Sequence, residues 1–201
     1  MTADAPVTRA DAKPLRADAQ KNHDHLLATA RGIVLDRGAQ ASLRDIARQA
    51  GVGIGTLYRH FPTREALLEA LLRADFDALA RRAETLAQEP DAARALVTWL
   101  REAVAVTHGF SGAIALMVAA ISDEASALHA SCTTLRSAGT RLLRRAQQDG
   151  AARADMDGND LFALISALAW LADQPPLVPR ADHLFDVIAD AILPGRSGGV
   201  G

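Results

Sequence analysis

The sequence predicts an all-α fold, and three observations carry that expectation. Ala, Leu and Arg, all strong helix formers, dominate a chain that is 49% apolar but only 4% aromatic. Apolar residues recur at helical spacing, and no run of alternating Val, Ile, Thr or aromatic residues marks a strand. Helix caps and breakers punctuate the chain: Gly38, Ser42, Gly51, Pro62-Thr63 and Pro90.

The elements follow in order. Residues 1–15 mix Ala, Asp, Thr and Pro without periodicity and read as a disordered tail. A helix begins near Arg16, with Leu26, Ala30, Ile33 and Val34 on one face, and stops at Arg37-Gly38. Ser42 starts a short helix. Its hydroxyl can accept from the amide three residues on, and Asp45 can reach back to the backbone of Ser42. That helix ends at Ala50-Gly51, and a second short one follows Gly53 and runs to about His60. After Phe61-Pro62, Thr63 caps a long helix to about Gln88, with Glu65 in the first turn where the helix dipole favours an acid. Five more helices are expected at about 91–107, 112–121, 123–149, 159–173 and 180–193, with Asp157 and Asp160 at the start of the fourth. The spans divide as 16–62 and 63–194, with 195–201 frayed.

Composition excludes several classes. A single cysteine, Cys132, makes no internal disulfide and fits a reducing cytoplasm. The N-terminus lacks the apolar core of a signal peptide. The most apolar stretch, Gly112–Ile121, is too short to cross a bilayer, so no membrane partner is expected. Residues 1–72 hold 10 basic and 8 acidic side chains, whereas 73–201 hold 12 and 16. The N-terminal part is thus the better anion binder, though through a few placed groups and not a polybasic surface.

Residues 42–61 carry the functional signal. Two short helices meet at a glycine turn, and Ile46, Ala47, Ala50, Val52 and Leu57 can pack the angle between them. Ala47 is small enough for a close crossing, and Gly51 can take positive φ. This is a helix-turn-helix pattern, which offers its second helix to the major groove of DNA. Thr56 can donate to a phosphate or place its methyl on thymine. Tyr58 and His60 carry donors for phosphate oxygens, Arg44 sits near the backbone crossed by the first helix, Arg59 can reach a base edge or phosphate, and Arg64 can clamp another. Gly53 and Gly55, flanking Ile54, bring the backbone near the sugar–phosphate wall but read no base, so DNA shape is expected to share in specificity.

The stretch from about Leu26 to Leu72 resembles the N-terminal domain of the tetracycline-repressor (TetR) family. The residues that carry the resemblance are Ser42-Leu43-Arg44-Asp45-Ile46-Ala47, Ala50-Gly51-Val52, Gly55-Thr56-Leu57-Tyr58-Arg59-His60-Phe61 and Arg64-Glu65-Ala66-Leu67-Leu68. The family usually has Lys where Arg64 stands. The resemblance implies a homodimer on an inverted-repeat operator in double-stranded DNA. It also implies a small-molecule effector held in a C-terminal helical domain, and a dimer interface on the last two helices. A DNA-binding repressor released by its effector is the function it implies; a helical binding protein that no longer reads DNA is the alternative.

In the C-terminal half, Trp99, His108, Phe110, Met117, Cys132, Phe162 and Trp170 are candidates to line an effector pocket, since bundles place ligands between facing helices. Helix 159–173 is apolar nearly all round, and helix 180–193 carries an apolar stripe. Leu161, Ile165, Leu168, Leu184 and Ile188 are therefore the expected dimer contacts. His129 and Cys132 stand at i, i+3 spacing, but no second pair lies nearby, so no metal is expected. Asp155-x-Asp157-Gly158 fails as a calcium loop, because Arg153 and Leu164 would fall on ligand positions. No phosphate loop, nucleophile elbow or metalloprotease motif occurs, so neither a cofactor nor an enzyme is expected.

Overall fold

The computed structural model describes residues 12–110 and 122–194. Eight α-helices and no strand occur among them. They are α1 (Ala12–Arg37), α2 (Leu43–Gln49), α3 (Ile54–His60), α4 (Arg64–Leu86), α5 (Ala92–Gly109), α6 (Ala127–Gln148), α7 (Gly158–Ala172) and α8 (Ala181–Ile192). A 3₁₀ turn at Val178–Arg180 precedes α8. The expected helix 112–121 lies outside the described residues.

Helix α1 begins at Ala12, earlier than the composition suggests. Pro14 stands in its first turn, where a missing N–H costs nothing. Ser42 caps α2 by accepting from the Asp45 amide at 3.3 Å. The reciprocal bond from Asp45 does not form: its carboxylate pairs instead with Arg48 at 3.1 Å and Arg37 at 3.5 Å. Gly51 has φ +67° and lets the Val52 amide donate back to the Ala47 carbonyl at 2.9 Å, which sets the angle between α2 and α3. Thr63 caps α4 and Asp91 caps α5. Ser126 caps α6, so that helix starts at residue 127 and not 123. Asp157 and Asp160 form a reciprocal capping box on α7.

One apolar core runs from Leu26 to Leu193. Helices α1–α3 pack around the start of α4, and α4–α8 build the remainder. Trp99 is its centrepiece. The indole is fully buried, donates from Nε1 to the Leu79 carbonyl of α4 at 3.0 Å, and meets Phe162 edge-on at 6.0 Å. Gly139 of α6 leaves room for that ring: a Cβ there would come within 2.4 Å of it.

Gly139→Ala is therefore expected to lower the unfolding free energy by about 1–3 kcal/mol through overpacking. Denaturant midpoints at constant m check this. A change within about 0.5 kcal/mol would mean that Trp99 is not confined by Gly139.

Candidate nucleic-acid interface

The helix-turn-helix is built from the inside out. Ile46, Ala47, Ala50, Leu57 and Phe61 are buried, so α2 and α3 turn fixed faces outward. Ile54, Gly55, Tyr58 and Arg59 lie exposed on α3, with Thr56 half-buried beside them. Tyr58 is 48% exposed although it is the chain's sole tyrosine and an aromatic in a well-packed unit. Packing does not require an aromatic there, and an exposed phenol can present a donor to a phosphate. Arg44 is exposed on the first turn of α2.

Gly53 and Gly55 have no structural reason to be glycine. Neither has positive φ, and a Cβ at either would meet nothing within 4 Å. Their small size keeps the outer surface of α3 low, so a duplex can approach the helix closely.

Of the expected phosphate contacts, Arg64 is redirected and His60 is partly covered. Arg64 faces inward: its Nη1 donates to the Ala41 carbonyl at 2.6 Å and the Ala39 carbonyl at 3.0 Å. It ties the start of α4 to the loop between α1 and α2, and it does so because those carbonyls have no helical partner of their own. His60 is half-buried, with its ring 5.4 Å from that of His23 on α1. Arg59 lies along α3, donating to the Gly55 carbonyl and Thr56 Oγ1, each at 3.4 Å. Those bonds are long and exposed, so the guanidinium can exchange them for a phosphate or base edge.

Comparison with known proteins agrees with this geometry. Residues 26–71 match the family described as bacterial regulatory proteins, tetR family, and residues 91–194 match the C-terminal domain described as transcriptional regulator SbtR-like. The chain belongs to the TetR family. It is similar to the HTH-type transcriptional repressor KstR2 of Rhodococcus jostii, with 31% identity over 161 residues, 73% of this chain and 76% of the relative. The TetR transcriptional regulator SCO0520 from Streptomyces coelicolor superposes with a TM-score of 0.66 at 33% identity, over 85% of this chain and 98% of the other. The TetR transcription regulatory protein from Mycobacterium vanbaalenii gives 0.61 at 28% identity, over 90% and 99%. Like its TetR relatives, this chain is a DNA-binding transcriptional regulator.

In this TetR chain a cavity of about 90 Å³ opens among α4–α7. Of the expected pocket residues it takes Cys132 and Phe162. Sequence reading missed Phe76 of α4, Thr107 of α5 and Arg136 of α6, which also line it. Burial pushes the Cys132 thiol up to about 11, against a smaller opposing pull from Arg136, so the thiol is neutral and unreactive at physiological pH. Trp99 and Phe110, expected in the pocket, are instead fully buried core and line no part of this cavity. His108 turns outward and meets Asp173 at 2.9 Å, and Trp170 is 53% exposed. Met117 lies outside the described residues.

Three of the five expected dimer residues turn inward. Leu161, Ile165 and Leu168 are consumed by this chain's own core, and Ile165 lines the cavity. The outward apolar side of α7 is instead Ala163, Ala167 and Trp170. Leu184 and Ile188 remain half-buried, with Val187 exposed beside them. No helix among the described residues is long and apolar enough to cross a membrane.

Thr56→Ala with Tyr58→Ala is expected to remove specific DNA retention while leaving far-UV helicity unchanged. Each lost contact accounts for about 1–3 kcal/mol, and gel retardation at fixed salt measures it. Intact affinity in the double variant would show that α3 does not face DNA.

Proposed function

We propose that the protein is a homodimeric cytoplasmic repressor. It holds an inverted-repeat operator in two successive major grooves and lets go when a small molecule enters the cavity among α4–α7. One observation carries this reading: α4 serves both ends. Its first turn is tied by the Arg64 bonds to Ala39 and Ala41, in the loop that leads into the helix-turn-helix, while Phe76 and Leu79, further along it, line the cavity.

A second tie reinforces it. Asp75, next to Phe76, is buried, and accepts from Arg31 Nε of α1 at 2.7 Å and 3.1 Å. A ligand that pushes on Phe76 also pulls on α1. Helix α5 reaches α1 as well: a Cβ on Gly109 would come within 2.5 Å of the Leu35 side chain. Movement of α4 and α5 thus tilts the DNA-reading unit as a body. Two half-sites lie about 34–36 Å apart on one face of the duplex, and a shift of a few ångströms spoils that register.

The second subunit is assigned to the outward faces of α7 and α8. Trp170 and Val187 are large exposed apolar residues there, flanked by Ala163, Ala167, Leu184 and Ile188. Residues 16–62 serve as the DNA-binding unit and 63–194 as the effector and dimer unit.

Selection of random genomic fragments by the purified protein is expected to return an inverted repeat, bound by a dimer in a salt-sensitive manner. Val187→Asp is expected to give monomers in sedimentation and to weaken operator binding by well over about tenfold. Absence of any enriched sequence at low salt would contradict operator binding. A variant that stays dimeric would move the interface away from α8.

A further inference from the structure

The cavity also indicates what kind of molecule enters it. This inference rests on reading the cavity as the effector site. Its lining is apolar except for Arg136, the one charged side chain among the described residues there, and the neutral Thr107, Cys132 and Ser166. Two of those three are already occupied: the Thr107 hydroxyl donates to the Ala103 carbonyl at 2.9 Å and the Ser166 hydroxyl to the Phe162 carbonyl at 3.0 Å.

Arg136 stands in a second place at once. It also lines an open groove on the outside of α6, with Thr133, Ser137, Thr140, Arg141 and Arg144. Arg136 therefore stands between an apolar interior and a basic, hydroxyl-rich exterior, with its guanidinium reaching the start of α7. The group is incompletely used. Nη2 donates to Asn159 Oδ1, and the plane lies 5.9 Å from the Phe162 ring centre. Among the described residues no carboxylate forms an ion pair with it. The acid it influences, Asp157, is held by the Asn159 and Asp160 amides at the start of α7. Arg141 reaches Glu84 only at 3.9 Å with both side chains exposed, so the groove keeps its positive character.

We propose that the effector is a small anionic amphipath, with a short apolar tail in the cavity and a carboxylate or phosphate head on Arg136 at its mouth. An empty cavity of about 150 Å³ holds benzene. The present 90 Å³ therefore suits a branched aliphatic tail of a few carbons. A planar guanidinium with spare N–H groups binds such a head through paired, charge-assisted hydrogen bonds. A head larger than a carboxylate extends into the groove toward Arg141 and Arg144.

Calorimetric titration of the full chain with 3-methylbutanoate, 3-methylbutyl phosphate and the neutral 3-methylbutanamide tests this. Either anion is expected to bind at least about tenfold tighter than the amide. A preference for the phosphate that falls away in Arg144→Gln would place the head in the outer groove; a carboxylate preference would place it at the mouth alone. Arg136→Gln is expected to erase the gap between acid and amide, and Arg136→Lys to retain part of it, with far-UV helicity checked in both. An amide that binds as well as the acids, or an Arg136→Gln protein that still prefers the acids, overturns the anionic head and leaves the cavity as effector site. If none of the three binds, the tail assignment fails, and with it the reading of this cavity as the effector site.

Discussion

Helix α4 is the constraint on which everything else in this molecule depends. Its 23 residues make a rod of about 34 Å. Leu67, Leu68, Leu71, Leu72, Phe76, Leu79, Ala80, Ala83 and Leu86 are buried along it, so both halves of the chain share its apolar stripe. Thr63 caps its start, Arg64 ties that first turn to the Ala39 and Ala41 carbonyls, and further along the Trp99 indole donates to the Leu79 carbonyl. Packed interiors transmit displacement because they have no slack to absorb it. A helix held this way does not tilt at one end alone.

One polar pair and one close apolar approach link that stiff rod to α1. A carboxylate placed as deep as Asp75 needs a partner, because a lone buried charge is costly. Arg31 supplies it from α1, 44 positions away in sequence. The pair thus fixes α1 to the same turn of α4 that presents Phe76 to the cavity. The close approach of Gly109 to Leu35 adds a second point of contact between the cavity-lining helices and α1. In the proposed function these few residues are where ligand chemistry would meet DNA geometry.

Legibility from sequence followed the range of the interactions. The helix-turn-helix was readable because its determinants are local: Ser42, Gly51 and Thr63 set the ends of short helices, and Ile46, Ala47 and Leu57 set their faces. The Arg64 bonds were not legible because the carbonyls it binds lie more than twenty residues back. Trp99 and Phe110 were misread as pocket residues because size alone does not tell a core filler from a wall. On α7, apolar residues on nearly every face hid which side the core takes; Leu161, Ile165 and Leu168 went inward and Trp170 outward. Arg136 gave no signal, since an arginine on a helix reads as solvated until its neighbours are known. Asp75 did leave one: an acid amid the leucine stripe of α4 implies a buried partner.

In the proposed function, effector binding changes the separation of the two DNA-reading units through α4. A spin label at Gln49→Cys, exposed at the end of α2, measures it across the dimer; the buried Cys132 thiol, with its raised pKa, does not compete for the label. Bound effector is expected to shift the label-to-label distance by several ångströms from the operator-bound value, in step with loss of DNA. An unchanged distance in a protein that has released its operator would contradict the account.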